Sequence, residues 1–393
     1  MDLRTQLMEG RVGLPRLGEV RATRSAVLPF VVVDGTGGEV QSVSTFLREL
    51  VLSDRSAATC RSYAVDLLRW WRVLGVLGVG WERATGGEVA VLVGWMRAAV
   101  NPQRRGSTGG VNVKTGKARL GPGYAPATIN HALSVVHGFY AFHGFRGRGP
   151  VVNPVPVSPR RRAALAHRSP LDPVVHVGRA PLRQREPART PRAISDGLWD
   201  ELFAAMGHNR DRSLLAFYVS SGARASELLG LRMEHVDWAG QRIWVVTKGS
   251  RLLEPVPASG QAFTLLAGYL HEAGPPPTEQ PVWRTRRGET RPLSYWALRR
   301  ILQRANTRLG TNWTVHDMRH TAAARMVADP SLTLPEVQTV LRHRHLSSTQ
   351  VYLRPNIDEL FDKLQEHFHR PRPAVGALAA GYDPADMQVV FGG

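Results

Sequence analysis

Apolar residues begin to recur at helical spacing from Val43 onward. Residues 44–52 form a short amphipathic segment. After Ser53, Asp54, Arg55 and Ser56, the stretch 60–72 places Tyr63, Leu67 and Trp70/Trp71 on one helical face and Arg61, Asp66 and Arg69 on the other. The same periodicity predicts helices over 88–100 and 126–145, with Thr128 near the start of the second. Between them, residues 101–124 are rich in glycine and cations and almost free of apolar positions, which predicts a mobile loop. Residues 1–40 carry charges, glycines and one β-prone patch, and no element is assigned to them.

No period is visible in residues 147–192, which are dense in proline and arginine and include Pro159 followed by three arginines. They read as a basic linker, suited either to plain solvation or to a strap along a phosphate backbone. A second domain begins near Ala193, where Ser195 is a good N-cap for a helix over 196–206. Further helices are predicted over 212–219 and, beyond a turn at Gly222, over 225–231. Residues 242–247 and 252–257 read as two short strands joined at Lys248 and Gly249. The remainder is helical, with caps at Ser294 and at Thr333, the latter opening Thr333-Leu334-Pro335-Glu336, a capping box with proline in the first turn. Glycine and proline return in a tail over 371–393. The expected organisation is an N-terminal extension (1–40), a helical domain (41–146), the linker (147–192), a second domain (193–370) and the tail.

With 393 residues, both domains can bury a core. The formal net charge of +19 argues for a polyanionic partner, with nucleic acid first. All but four of the 51 basic residues are arginine; the lysines are Lys114, Lys117, Lys248 and Lys363. Cys60 is the single cysteine, so no intrachain disulfide can form, and its helical neighbours mark it as a small core residue. No apolar run approaches a membrane span, and the N-terminus lacks the layout of a signal peptide. A soluble cytoplasmic protein is expected.

Six residues ordered through the C-terminal half could together break a phosphodiester without a metal: Arg224, Lys248, His316, Arg319, His343 and Tyr352. Two guanidiniums can clamp non-bridging oxygens bidentately. A tyrosine can attack phosphorus and hold it covalently. Lysine and histidine can move protons to and from the oxygens. Taken singly, each has a plainer reading. Arg224 would be a surface arginine, Lys248 a solvated turn residue, Tyr352 a half-buried helix tyrosine. His316 and His320, at i and i+4, could alternatively bind a metal, although no acidic or cysteine ligand accompanies them in sequence.

The local strings change that balance. Ser221-Gly222-Ala223-Arg224-Ala225-Ser226-Glu227-Leu228-Leu229-Gly230-Leu231, His316-Asp317-Met318-Arg319-His320, and Leu341-Arg342-His343 running on to Thr349-Gln350-Val351-Tyr352 together resemble the signature of the tyrosine recombinase (phage integrase) family. The resemblance covers residues 193–370 strongly and 41–146 more weakly. It implies a mostly α protein: a helical, SAM-like core-binding domain followed by a mainly helical catalytic domain with a small β-hairpin sheet. It further implies a site-specific recombinase acting on double-stranded DNA through a 3′-phosphotyrosine, as a homo-tetramer in the synaptic complex, with neither metal nor other cofactor. Inactive DNA-binding proteins on the same fold and type IB topoisomerases are the alternatives. In this family Tyr352 would be the nucleophile and Arg224 and Arg319 the phosphate clamp. Lys248 would protonate the leaving oxygen, His316 would act as acid/base, and His343 would bond the phosphate. Glu227 falls where the family braces its first arginine. His343 lies nine residues before Tyr352, the family's step, whereas His345 does not. One departure stands out: Arg342 occupies the place of the usual glycine, which would remove any left-handed geometry that glycine supports.

Overall fold

Ser56 accepts the Thr59 N–H at 3.2 Å and caps the longest helix of the N-terminal half, Ala57–Leu77, which Gly78 ends in the left-handed conformation (φ 65°). The computed structural model describes residues 2–104, 109–157, 179–187, 192–247, 251–342, 365 and 369. The chain divides into two units, Met1–Ala188 and Arg189–Gly393.

The first unit contains α1 (Leu3–Met8), β1 (Glu19–Ala22), β2 (Phe30–Val33), α2 (Gln41–Leu52), α3 (Ala57–Leu77), α4 (Gly86–Ala98) and α5 (Pro126–Phe145). Helices α2 to α5 bury the faces that periodicity marks, including Leu67, Trp70, Val89, Met96, Leu133 and Phe139. The first forty residues are not separate from this core. The antiparallel hairpin β1–β2 and helix α1 add Leu7, Val31, Val32 and Val33 to it. Helix α1 lies so close on α4 that a Cβ at Gly94 would come within 2.6 Å of the Met8 side chain.

Two other segments depart from expectation. Residues 109–123 carry hydrogen-bonded structure where a mobile loop is predicted. Val111 pairs with Ala118, Val100 with Gly123, and the buried Asn112 accepts the Thr115 N–H at 3.0 Å. In the linker, Val155 is buried and residues 179–187 dock on α5. There the Asn130 amide accepts from Gln184 N at 2.8 Å and donates to the Gln184 carbonyl at 3.0 Å. Arg183 donates to Ser134 Oγ at 2.8 Å. Isolated apolar anchors such as Val155 and Leu182 and polar side chains hold these segments, so apolar periodicity gives no sign of them.

The second unit contains α6 (Asp196–Ala204), α7 (Asn209–Ser221), α8 (Ala225–Leu229), β3 (Val236–Asp237), β4 (Arg242–Val246), β5 (Leu253–Pro257), α9 (Gly260–Ala273), α10 (Tyr295–Leu309), α11 (Val315–Ala328) and α12 (Leu334–Leu341). The small antiparallel sheet runs β3-β4-β5, with Ile243 opposite Val256. β5 is an edge strand, which is why it tolerates Pro255 and Pro257. Ser294 and Thr333 cap α10 and α12 as expected: Ser294 accepts from Ala297 N, and Thr333 and Glu336 close a capping box. Ser195 holds the N-cap position of α6 without a side-chain cap bond. The core gathers Phe217, Tyr218, Phe263, Trp283, Leu298 and Met318. No helix among the described residues is long and apolar enough to cross a membrane.

His143 ties acid stability to the first core. It is fully buried against Trp81, Phe139 and Phe142. Its Nε2–H donates to the Ser42 carbonyl at 3.0 Å, and Nδ1 has no partner among the described residues. Protonating Nδ1 would strand a charge and a donor, and burial accordingly holds the imidazole below its ordinary value. The unfolded chain then binds a proton that the folded chain refuses, so stability falls as pH drops below about 6.5. His131 shifts the opposite way because Asp66 bonds it, so a paired comparison is needed. Between pH 7.5 and 5.5 the melting temperature of the wild type should drop more than that of His143→Gln, which keeps a donor for Ser42 but does not titrate. Equal drops would remove His143 as the acid-sensitive group.

Candidate active site

The turn that delivers Arg224 is built on Gly222. Helix α7 ends there in the left-handed conformation (φ 59°, ψ 16°), and a Cβ at this position would sit 2.6 Å from Leu341 Cδ2. Glycine therefore serves both the conformation and the close approach of α12. Ala223 is buried without exposure, and Arg224 follows in extended backbone as the N-cap of α8. That helix is only five residues long. The Arg224 N–H is taken at 2.7 Å by Glu227, so a carboxylate of the chain itself holds the helix start.

Glu227 is the hub of the site. Its side chain is 1% exposed. Oε1 accepts from Arg224 Nη1 at 2.7 Å, and Oε2 from Arg342 Nη2 at 2.7 Å. Burial by itself would raise this carboxyl. The Arg342 charge and the Arg224 hydrogen bonds outweigh that and hold it below the usual carboxylate range.

Arg319 arrives from α11, whose start is fixed by Thr314 and Asp317 in a capping box, with Thr314 N donating to Asp317 at 2.6 Å. The arginine is buried. Nη1 donates to the Gly222 carbonyl at 2.5 Å and Nη2 to the Leu341 carbonyl. Arg224 Nη2 donates to the next carbonyl along, that of Arg342, at 3.0 Å. The two candidate clamp residues thus converge on consecutive carbonyls at the C-terminal end of α12, where the last turn leaves carbonyls without helical partners.

Arg342 corrects one expectation. Replacing the family's glycine does not remove the left-handed geometry, because Arg342 itself adopts it (φ 52°, ψ 47°). For an L-residue this costs about 1 kcal/mol. The ion pair to Glu227 and a 2.8 Å bond from Nη1 to the Val340 carbonyl offset that cost.

His316 is exposed one turn from Arg319 on the same helix, its ring centroid 4.3 Å from that of His320. Among the described residues no group of three or more histidine, cysteine, aspartate or glutamate side chains could hold a metal. Lys248 lies outside the described residues, between the flanking pair Thr247 and Arg251, whose N–H donates to the Thr247 carbonyl at 3.1 Å. His343, His345 and Tyr352 also lie outside them. The structure therefore brings together Arg224, Arg319 and Glu227, adds Arg342, and sets His316 on the Arg319 helix. The paired role of Arg342 was missed. Its signal in the sequence is a cation where a left-handed cap favours glycine.

In the first unit, an open groove of about 480 Å³ beside α3 and α5 is lined by Arg61, Arg69, Gln103, Thr128 and His131. Asp66 at its base is buried and pairs with Arg69 and, at 2.7 Å, with His131.

Gly222→Ala should destabilise the protein by ~2–4 kcal/mol, from left-handed strain plus overpacking against Leu341. Denaturant unfolding reads this directly. An unchanged midpoint would mean the turn relaxes without cost.

The profile of the phage integrase family matches residues 199–359. The tyrosine recombinase XerC of Pseudomonas entomophila (strain L48) is 34% identical over 177 residues, 44% of this chain and 56% of that protein. This alignment spans little more than half of the relative's length. The tyrosine recombinase XerC of Xylella fastidiosa (strain 9a5c) is 31% identical over 232 residues, 58% of this chain and 70% of that protein. Among solved structures, a lambda integrase(75-356) dimer bound to a COC' core site aligns with a TM-score of 0.53 at 14% identity, covering 79% of this chain and 94% of that one. The Tn1549 transposon integrase (aa 82-397) in complex with circular intermediate DNA aligns with a TM-score of 0.52 at 13% identity, covering 84% and 99%. These structures share the mostly helical fold that the sequence predicts.

Proposed function

The chain belongs to the phage integrase family of tyrosine recombinases, and on that premise we propose that it cuts and rejoins double-stranded DNA at a specific site through a 3′-phosphotyrosine. The observation that carries this reading is the pair Arg224 and Arg319, delivered from separate helices and braced on the adjacent carbonyls of Arg342 and Leu341. The Arg224 guanidinium presents five N–H donors, and those not used in the brace remain for the non-bridging oxygens of a phosphate, beside the fixed charge of Arg319.

In this reading the Tyr352 oxygen attacks the scissile phosphorus and the bond to the 5′-oxygen breaks. His316 takes the phenol proton, and Lys248 gives a proton to the leaving 5′-oxygen. Arg224 and Arg319 stabilise the charge that gathers on the equatorial oxygens, and His343 donates a hydrogen bond to the phosphate. Religation runs these transfers in reverse. The phosphotyrosine conserves the energy of the broken bond, so the cycle requires neither nucleotide nor metal. A +19 chain suits a duplex partner. The groove carrying Arg61, Arg69, Gln103 and Thr128 is the surface of the first unit that fits the phosphate backbone. Recombination between two sites calls for four copies, one for each strand exchanged, acting in the bacterial cytoplasm.

Covalent trapping tests this. A nicked suicide duplex, recovered from a random-sequence pool by its capture on the wild-type protein, should give a denaturant-resistant protein–DNA adduct. Tyr352→Phe should bind the same duplex with similar affinity and give no adduct; an adduct surviving in that variant would displace Tyr352 as nucleophile. Excess EDTA should leave the trapping rate unchanged. Inhibition reversed by added divalent metal would move His316 and His320 into a metal site.

A further inference from the structure

The departure at position 342 has a chemical use. Glycine would adopt the same left-handed backbone at no steric cost, so backbone geometry alone does not account for an arginine here. Its side chain is only 9% exposed, and its charge is spent on Glu227 at 2.7 Å. Glu227 in turn holds Arg224 Nη1, while the Arg342 carbonyl holds Arg224 Nη2. One residue therefore reaches Arg224 by two routes, and the same turn supplies the Leu341 carbonyl to Arg319.

We propose that Arg342 is a positioning residue for the phosphate clamp: its left-handed backbone turns a carbonyl onto Arg224, and its guanidinium fixes the Glu227 carboxylate that orients Arg224 from the other side. The inference rests on Arg224 being a phosphate-binding residue. Arg342 does not touch the phosphate; it limits the arrangements open to Arg224, so that the remaining N–H groups of that guanidinium keep one direction. A clamp held in advance loses less orientational freedom when the phosphate arrives.

A pH signature separates this role from simple support of the fold. Among the described residues, the charged and titratable groups around Glu227 are Arg224 at the start of its own helix, Arg342 at the end of α12, and the Tyr218 hydroxyl from α7. Burial raises the carboxyl; the Arg342 charge is the largest single effect opposing it, and Arg224 adds two hydrogen bonds and its own charge. Without the Arg342 guanidinium, Glu227 takes up a proton at higher pH, and a neutral Glu227 no longer pairs with Arg224.

The test uses the full-length chain and the nicked duplex described above, in single-turnover cleavage from pH 5.5 to 8, with DNA affinity and thermal unfolding measured alongside. Arg342→Gly should leave DNA affinity within about twofold and slow cleavage at saturating DNA by about tenfold to a hundredfold, the range for lost hydrogen bonds to charged groups. Its rate should fall toward acid pH more steeply than that of the wild type, in which the acid/base role of His316 already sets a pH dependence. Arg342→Lys should recover part of the rate and the wild-type profile. Arg342→Ala, which lacks glycine's freedom at positive φ, should be slower than Arg342→Gly. Arg224→Lys is the control for the underlying site. If it abolishes cleavage while Arg342→Gly keeps wild-type rate and profile, the site stands and the positioning role is overturned. If Arg224→Lys cleaves normally, both fall together. Should Arg342→Gly fail to fold, Arg342→Gln decides: it is neutral and keeps donors, so a wild-type rate and wild-type pH profile in that variant overturn the proposal.

Discussion

The second unit depends on one buried carboxylate. Glu227 is almost wholly removed from water and is shared by Arg224 and Arg342. A buried charge that loses a partner costs roughly 3–5 kcal/mol, because desolvation is no longer compensated. The carboxylate and its two guanidiniums therefore hold one another in place, and they join α8 to the end of α12. Arg319 completes the link by donating from α11 to the end of α7 and the end of α12. Two pairs of helices about a hundred residues apart, α7–α8 and α11–α12, thus meet at one hydrogen-bonded cluster.

That point is also where helices end, and the coincidence is physical. The last turn of α12 leaves carbonyls that need donors, and a cation near a helix C-terminus is favoured by the aligned peptide dipoles. Arg224 and Arg319 meet that need. In doing so they fix two guanidinium charges at adjacent carbonyls, an arrangement that suits a phosphate. Gly222 makes the approach possible, since α12 comes too close to the turn for any side chain there.

The first unit uses buried polar groups more sparingly. Asp66 lies beneath a cationic groove and is satisfied by Arg69 and His131. Asn130 binds a returning segment of the basic linker through its amide. Tyr140 accepts from Trp70 Nε1 at 3.1 Å and donates to the Trp81 carbonyl at 2.9 Å, so the aromatic core carries few loose polar ends. Among the described residues, His143 Nδ1 and Ser44 Oγ are the buried side-chain atoms of this core without a hydrogen-bond partner.

Apolar periodicity by itself located α2 to α5, α6, α7 and the β4–β5 hairpin to within a few residues, because each buries a regular face against its own core. Capping residues did the same for the starts of α10 and α12, since a cap acts within three or four positions along the chain. The order of the arginine and histidine boxes pointed to the family and to Arg224, Arg319 and the brace at Glu227. Three features needed the tertiary structure. The first forty residues join the core through a hairpin and a six-residue helix too short for periodicity to register. The linker segment 179–187 is held by an amide that reads as an ordinary polar residue in α5. Arg342 looked like the loss of a glycine, and only the fold set Glu227 where a guanidinium could offset left-handed strain. Local pattern reports what a residue does to its neighbours in sequence; the pairing of buried charges 115 positions apart is decided by which helix ends come together.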